Sequence, residues 1–201
     1  MHRPEHKPAR ESSQNWKTFV ANHADEIWAC DFVQTYDLMF RTIFVFFIIE
    51  IGSRRIVHYN VTYNPTDQWV SQQLREATPF DESPRFLIRD NDTKFGQQFE
   101  MIAKETSIEV LRTPIHAPKA NAYCERFIGS FRRECLNHII ALNDRQLQRV
   151  TREYVNYFNA ARPHQGIQQK IPDDPPDNPT EGDIVSYPVL NGLHHDYRRV
   201  A

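Results

Sequence analysis

An unbroken apolar segment in the first quarter of the chain places the strongest constraint on its fold. Residues 43–49 are all isoleucine, phenylalanine or valine, and the segment stops at Glu50. It falls well short of the ~20 apolar residues that a membrane-spanning helix requires, so it predicts a strand. A strand that is apolar on both faces belongs in a sheet that is covered on both sides. The chain is therefore expected to form a sheet with helices on its faces.

The other elements follow from periodicity and from turn-forming residues. Asn64 is the expected cap of the first helix, because Pro65 suits a first helical turn. Three strands, a helix, and then alternating strands and helices predict an α/β protein with a five-stranded mixed sheet, flanking helices and an extended C-terminal tail. The predicted strands cover about 27–36, 40–51, 54–62, 85–90 and 108–111, and the predicted helices cover about 64–78, 97–106, 120–140 and 144–161.

Three segments are predicted along the chain. Residues 1–22 are polar and lack periodicity, which is typical of a linker or arm, whereas 23–165 carry the strands and helices of a core domain. Residues 166–201 form a proline-rich extension with a short strand near 184–187. The helix from 120 is expected to bury the residues that recur at steps of four. These are Tyr123, Phe127, Phe131, Cys135 and Ile139.

Composition disfavours several classes of protein. The three cysteines include no C-x-x-C pair, which argues against a disulfide framework and a zinc ribbon. The polar N-terminus does not resemble a signal peptide, and no segment is long enough to span a bilayer, so we expect a cytoplasmic location without a membrane partner. A net charge of −2 argues against indiscriminate nucleic-acid binding. Basic residues nevertheless cluster between 112 and 133, and this cluster fits a solvated helix face and a nucleic-acid contact equally well.

Three acidic residues occupy places where an acid is costly or oddly exposed. Asp31 interrupts an apolar strand, Asp90 ends another, and Glu125 lies early in the helix predicted from 120. An ionised carboxylate inside an apolar strand is unfavourable unless a cation or a donor compensates it. If the first and fourth strands are parallel neighbours, Asp31 and Asp90 come side by side at the edge where α/β sheets bind ligands. Three converging acids predict a divalent-metal site for phosphoryl transfer.

Each acid taken alone also has an ordinary structural explanation. Asp31 fits a satisfied polar group in the core, and residues 90–92 (Asp-Asn-Asp) fit a simple turn. Glu125 fits an ordinary surface acid. The order, the spacing and the contexts of all three acids together favour the metal site.

Four motifs follow one another as they do in a known group of enzymes. Residues 28–32 (Trp-Ala-Cys-Asp-Phe) resemble the motif W-x-x-D-(F/Y/T). Residues 89–95 resemble S-D-N-G-x-x-F, with arginine and aspartate in place of the usual serine and glycine. Residues 113–125 resemble P-x-x-P-x-x-N-G-x-x-E with alanine for the glycine, and residues 157–164 resemble Y-(Y/F)-N-x-x-R-P-H. In these motifs the chain resembles the catalytic core of retroviral integrases and bacterial insertion-sequence transposases.

This resemblance implies a ribonuclease H-like fold with Asp31, Asp90 and Glu125 as catalytic residues that bind metal. The implied cofactor is a pair of Mg²⁺ ions, for which Mn²⁺ can substitute. The implied activity is cleavage at the ends of a DNA element, followed by attack of the freed 3′-hydroxyl on target DNA. DNA is the implied partner, and a homo-oligomer is expected because two ends must be joined. The expected DNA-binding residues are Lys119, Asn121, Arg126, Arg132 and Arg133.

Two alternatives remain open at the level of sequence. One is a plain ribonuclease H-like nuclease, against which the Arg-Pro-His segment at 162–164 argues. The other is a remnant that only binds DNA or self-associates. Members of the family usually carry an N-terminal DNA-recognition domain, and this chain opens in what resembles the linker after it. A truncated or split transposase is therefore expected.

Overall fold

A mixed five-stranded sheet forms the centre of the protein. The computed structural model describes residues 16–79, 82–113, 121–173 and 181–200. The strand order is β3-β2-β1-β4-β5, in which β1, β2 and β3 are antiparallel neighbours and β4 and β5 run parallel to β1. This confirms the predicted sheet. The strands are β1 (Ile27–Tyr36), β2 (Thr42–Glu50), β3 (Ile56–Thr62), β4 (Phe86–Arg89) and β5 (Glu109–Arg112).

Helices cover both faces of this sheet, because the strand residues alternate between two apolar layers. On one face, Cys30 and Phe46 pack against a helix pair, and on the other face, Ala29 and Phe47 pack against a second pair. The first pair is α2 (Asp67–Ala77) and α3 (Gln97–Glu105), and the second is α4 (Ala122–Glu134) and α5 (Asp144–Ala160). The apolar run on β2 is thus buried on both sides, as the sequence predicts. No helix in the described part of the chain is long and apolar enough to cross a membrane.

Two details of the predicted helices are wrong. The cap of α2 is Thr66 and not Asn64, because the Thr66 hydroxyl accepts a hydrogen bond from the Trp69 N–H at 3.2 Å. Helix α4, which was predicted to run from 120 to about 140, ends at Glu134. Histidine side chains reach the carbonyls at this end of the helix: His138 Nε2 lies 2.9 Å from the Arg133 oxygen, and a second histidine reaches the next carbonyl. These contacts replace the helical hydrogen bonds that a longer helix would supply.

The buried face of α4 also differs from the predicted stripe. Phe127 and Phe131 are buried as expected, whereas Tyr123 is only half-buried. Cys124 and Ser130 are buried instead, because α4 packs against both the sheet and α5 and so buries more than one row of side chains. The wider buried face leaves Glu125 and the arginines of α4 on the exposed side.

Both ends of the described chain add structure to the segments outside the predicted core. Helix α1 (Trp16–Asn22) lies within the predicted arm. Its Val20 is buried in the core, and its Phe19 packs edge-on against Phe86 with 5.1 Å between the ring centroids. Near the C-terminus, β6 (Asp183–Val189) contains the predicted short strand. It pairs with β7 (His194–Val200) in a hairpin that was not predicted from the sequence. The domain boundaries at 22/23 and 165/166 stay predictions.

Candidate active site

Asp31 lies where β1 extends beyond its pairing with β4. The parallel ladder places Ala29 opposite Ile88, and the same register two residues further on brings Asp90 alongside Asp31. Asp31 follows Ala29 on the face that α4 and α5 cover. Its Oδ1 accepts a hydrogen bond from the Phe32 N–H at 2.7 Å. Asp31 is half-buried, and this hydrogen bond from the next residue of its own strand fixes the orientation of its carboxylate.

Asp90 begins the loop that leaves β4. Its Oδ1 accepts a hydrogen bond from the Asp92 N–H at 3.1 Å, and Asp92 itself pairs with Lys94. Beneath this loop, the buried Arg89 donates from Nη1 to the Asp90 carbonyl at 2.8 Å and forms an ion pair with Glu100 of α3. Arg89 thus fixes the first residue of the loop through the Asp90 carbonyl. The Asp90 side chain forms an Asx turn with the Asp92 N–H. Asp92 and not Asp90 has the lysine partner, which leaves the Asp90 carboxylate available to a ligand.

Glu125 lies in the first turn of α4 and is exposed. The start of this helix is attached to β1, because the Asn121 side chain donates to the Cys30 carbonyl at 3.4 Å. This contact places the Glu125 turn beside the strand that carries Asp31. Among the described residues, Glu125 makes no ion pair.

Electrostatics shows that the three acids share one neighbourhood. Burial raises the pKa of Asp31 from its ordinary value of 3.8 to about 7, and the negative charges of Asp90, Glu125 and Asp92 contribute to this rise. The hydrogen bond from Phe32 opposes it. Each of these acids is therefore close enough to disfavour the ionised form of Asp31. Asp31, Asp90 and Glu125 therefore lie in one neighbourhood, and their role as a shared metal site stays a prediction.

The donors of this cluster suit a hard divalent cation. All three acids offer carboxylate oxygens, and the Asn121 Oδ1 is buried without a hydrogen-bond partner among the described residues. Within those same residues, no three histidine, cysteine or acidic side chains are already close enough to hold one ion. Repulsion between like charges favours such a separation, and a cation would remove that repulsion.

The predicted DNA-binding residues lie in different surroundings. Lys119 lies outside the described residues. Asn121 is buried against β1, whereas Arg126, Arg132 and Arg133 are exposed on α4. Arg132 follows Glu125 by seven residues and so shares its side of the helix, where it donates to the Gln34 carbonyl at 3.1 Å. Arg126 and Arg133 form a second, parallel row.

The second half of the core matches a known protein family. Residues 106–172 match the family described as "Integrase core domain". The chain is 28% identical over 163 residues to a 39.2 kDa protein of insertion element IS476 from Xanthomonas euvesicatoria, covering 81% of this chain and 47% of that protein. It is 23% identical over 151 residues to a 31.7 kDa protein of insertion element IS407 from Burkholderia multivorans, covering 75% and 54%. The predicted resemblance is confirmed. The chain spans about half the length of these insertion-element relatives.

Solved structures agree with the integrase-core resemblance at the level of the fold. The catalytic core domain of HTLV-2 integrase, solved in complex with magnesium, matches with a TM-score of 0.54 at 14% identity and covers 74% of this chain and 93% of that one. The catalytic core domain of BIV integrase gives the same score and identity, covering 74% and 91%. The fold is therefore the ribonuclease H-like fold of integrase catalytic cores.

Proposed function

We propose that this chain is the catalytic part of a DNA transposase or integrase that cleaves DNA strands and joins them in a metal-dependent reaction. The observation that carries the proposal is the proximity of Asp31 on β1, Asp90 just after β4 and Glu125 on α4, which together with burial raises the pKa of Asp31. The match to the integrase core family and the insertion-element relatives support it. The bacterial origin of those relatives makes the bacterial cytoplasm the expected place of action.

Asp31, Asp90 and Glu125 are the residues that would hold Mg²⁺, or Mn²⁺ in its place. Two such ions, when bound, activate an attacking oxygen and stabilise a leaving oxygen at phosphorus. Asp31 is held in place by β1 and by the Phe32 N–H, and Asp90 by the turn to Asp92. Glu125 is exposed on α4, so its side chain is free to adjust toward a substrate phosphate. The protein thus supplies two fixed carboxylates and one adjustable carboxylate.

Arg132 is positioned to help bind the DNA at this site. It lies on the Glu125 side of α4 and is exposed, while one of its nitrogens donates to the Gln34 carbonyl. Arginine and lysine contacts to phosphates position a duplex without reading its sequence. In the proposed complex, Arg132 binds a phosphate next to the scissile bond, and the sequence of the element ends is read elsewhere.

Self-association is part of the proposal, because joining two DNA ends requires more than one active site. The HTLV-2 integrase core was solved in a trimeric and in a dimeric form. We expect this chain to form a homo-oligomer at least when DNA is bound. Light scattering with and without a DNA duplex measures this directly, and a strict monomer in both conditions would contradict the expectation.

The proposal is tested by nicking of supercoiled plasmid in Mg²⁺ and in Mn²⁺. Asp31→Asn and Glu125→Gln are expected to lower the nicking rate at least about 100-fold, because each removes a metal-binding charge. Glu105→Gln is the matched control, because Glu105 is an exposed acid at the end of α3, and it should nick at the wild-type rate. Circular dichroism checks that each variant is folded.

Three results would change the assignment. Full nicking by Glu125→Gln would contradict the role of this acid. A folded wild type without nicking in either metal would favour a remnant that only binds DNA. A strong preference for RNA–DNA hybrids over DNA duplexes would favour a ribonuclease H-like nuclease.

A further inference from the structure

A cavity of about 510 Å³ lies beside α4, on the opposite side of the helix from Glu125 and Arg132. Helix α4 and residues 158–169 line it, together with residues from the end of β2 and the turn after it. Its described lining contains no acidic residue. Four arginines line it, which we call the arginine pocket: Arg54, Arg126, Arg133 and Arg162.

Most of the positive charge in the arginine pocket has no acidic partner. Of these four arginines, Arg162 alone has an acidic partner in the described part of the chain, because its Nη2 and Nε donate to the two Glu134 carboxylate oxygens at 2.7 and 3.0 Å. With the described residues, Arg54, Arg126 and Arg133 form no salt bridge. Three unpaired guanidinium groups around one cavity repel each other, and an anion in the cavity would neutralise them.

Arg54 is held in place as a preformed binding group would be. Its guanidinium carbon lies 4.0 Å from the centroid of the Tyr123 ring, which fixes the group by a cation–π contact. Its Nη1 is buried and has no hydrogen-bond partner among the described residues. Burial lowers the pKa of Arg54, Tyr123 opposes this effect, and the charge of Arg126 adds to it. The buried donor therefore lacks an acceptor that a ligand oxygen would supply.

The backbone is also strained next to the arginine pocket. Arg54 has a φ of 68°, and Gln168 and Gln169 have φ values of 60° and 64°, a conformation that residues other than glycine rarely adopt. Gly166 lies close to Arg54, so that a Cβ there would meet the Arg54 Nε at 3.4 Å. Such strain persists only where the surrounding structure enforces it, and it gathers at binding sites.

His164 contributes to the pocket without adding charge. Its Nε2 lies 3.0 Å from the Phe158 carbonyl and its Nδ1 lies 3.3 Å from Arg162 Nη1. Burial, together with the charges of Arg162 and Arg54, lowers its pKa, although the Phe158 carbonyl and Glu134 oppose this. In a neutral imidazole, Nε2–H donates to the Phe158 carbonyl, and Nδ1 accepts a hydrogen bond from Arg162. This contact orients the Arg162 guanidinium. The Arg-Pro-His segment therefore shapes one wall of the pocket.

We infer that the arginine pocket binds a phosphodiester group of the DNA backbone, as a second contact separate from the acid cluster. Guanidinium groups bind phosphate oxygens through paired, charge-assisted hydrogen bonds, and the cavity has room for the attached sugars. Helix α4 thus carries two rows of side chains. Glu125 and Arg132 lie toward Asp31 and Asp90, whereas Arg126 and Arg133 lie toward the arginine pocket. The choice of DNA as the source of the phosphate rests on the proposed function.

The test is fluorescence anisotropy with a labelled DNA duplex in metal-free buffer over a range of NaCl concentrations. The pocket variant carries Arg126→Gln and Arg133→Gln, two exposed positions whose change spares the core. The matched control carries Arg149→Gln and Arg152→Gln, which removes the same charge from the exposed side of α5. The pocket variant is expected to bind about tenfold more weakly, with a salt slope lower by about 0.9 for a lost phosphate contact. The control should bind like the wild type.

Equal affinity of the two double variants would overturn the inference, and so would a wild type that binds no duplex. A second measurement identifies the source of the phosphate by comparing melting temperatures in sodium phosphate and in NaCl of equal ionic strength. Stabilisation by phosphate that the pocket variant loses, without a selective loss of DNA binding, would assign the pocket to a free anion and overturn the DNA contact. Plasmid nicking is independent of these readouts, so failure of the proposed function would show as a wild type that binds duplex but does not nick.

Discussion

Two contributions act against ionisation of Asp31, and both come from its position. Burial in β1 is the larger one, and the nearby charges of Asp90 and Glu125 add to it, while the Phe32 N–H opposes them. An unfolded chain has none of these contributions, so its Asp31 titrates near the ordinary pKa of 3.8, whereas the folded chain keeps the proton to about 7. The folded state therefore binds more protons in this interval, and stability falls as the pH rises through it.

Replacing Asp31 with asparagine removes this cost and retains an oxygen for the Phe32 N–H. In metal-free buffer we expect Asp31→Asn to be more stable than the wild type at pH 8, by on the order of 1 kcal/mol. The difference should shrink toward pH 4, where the wild-type carboxyl is protonated. Urea unfolding followed by circular dichroism at the two pH values measures it. A difference that is the same at both pH values would contradict this electrostatic account.

At the scale of elements, the loop that carries Asp90 is fixed by a cap supplied from another helix. Asp67, in the first turn of α2, accepts hydrogen bonds from the N–H groups of Gly96, Gln98 and Phe99 at 3.0, 2.9 and 3.0 Å. These groups are donors at the start of α3 that no helical carbonyl satisfies. A Cβ at Gly96 would lie 2.5 Å from the Asp67 carboxylate, so only glycine fits there. The cap thus sets where the segment between β4 and α3 must end.

Asp67→Ala is expected to lower the free energy of unfolding by about 2–3 kcal/mol, since three hydrogen bonds to a charged group are lost. The neighbouring Gln68→Ala is the control, because Gln68 is exposed on the same helical turn and should change stability by less than about 0.5 kcal/mol. Denaturant titration of both variants gives the two values. Equal stability of the two variants would show that the cap adds nothing to the fold.

At the scale of the whole molecule, one carboxylate joins elements that are distant in sequence. Glu134, the last residue of α4, accepts hydrogen bonds from Arg162 and from the Tyr154 hydroxyl at 2.9 Å. Its backbone carbonyl also lies 2.7 Å from His194 Nε2 at the start of β7, whose ring stacks on Tyr157. Through Glu134, the end of α4, helix α5, the Arg-Pro-His segment and the C-terminal hairpin form one connected unit.

The three cysteines are divided between the two apolar layers on either side of the sheet. Cys30 lies in the layer with α2 and α3, and Cys124 and Cys135 lie in the layer with α4 and α5. All three are buried, and burial is the largest cause that raises the pKa of each thiol, for Cys135 to about 12. Since the thiolate is the reactive form, we expect no reaction with a thiol reagent in the native state and reaction of all three thiols in one cooperative step with urea. Native labelling of any one thiol would show that its layer opens on its own.

The sequence alone predicted the sheet and the order of the elements, and it also singled out the three acids, whose role stays a prediction. Periodicity and turn residues are local signals, so the ends of β1 and of α5 were placed within about a residue. The acids were recognisable because a charge inside an apolar strand, as at Asp31, stands out without any knowledge of its partners. The meeting of Asp31 and Asp90 followed from parallel pairing of the first and fourth strands, which the structure confirms.

Tertiary structure decided every contact that joins distant parts of the chain. The Asp67 cap on α3, the Arg89–Glu100 ion pair and the Glu134–Arg162 ion pair depend on which faces meet, and the sequence does not specify this locally. The predicted end of α4 was wrong in part for the same reason, because His194 from the C-terminal hairpin reaches the Glu134 carbonyl, although the contact of His138 with the Arg133 carbonyl is local. The arginine pocket appears only when α4 packs beside the segments that carry its other arginines. Residue patterns fix each element and its apolar face, whereas the packing of those faces determines which polar groups become neighbours.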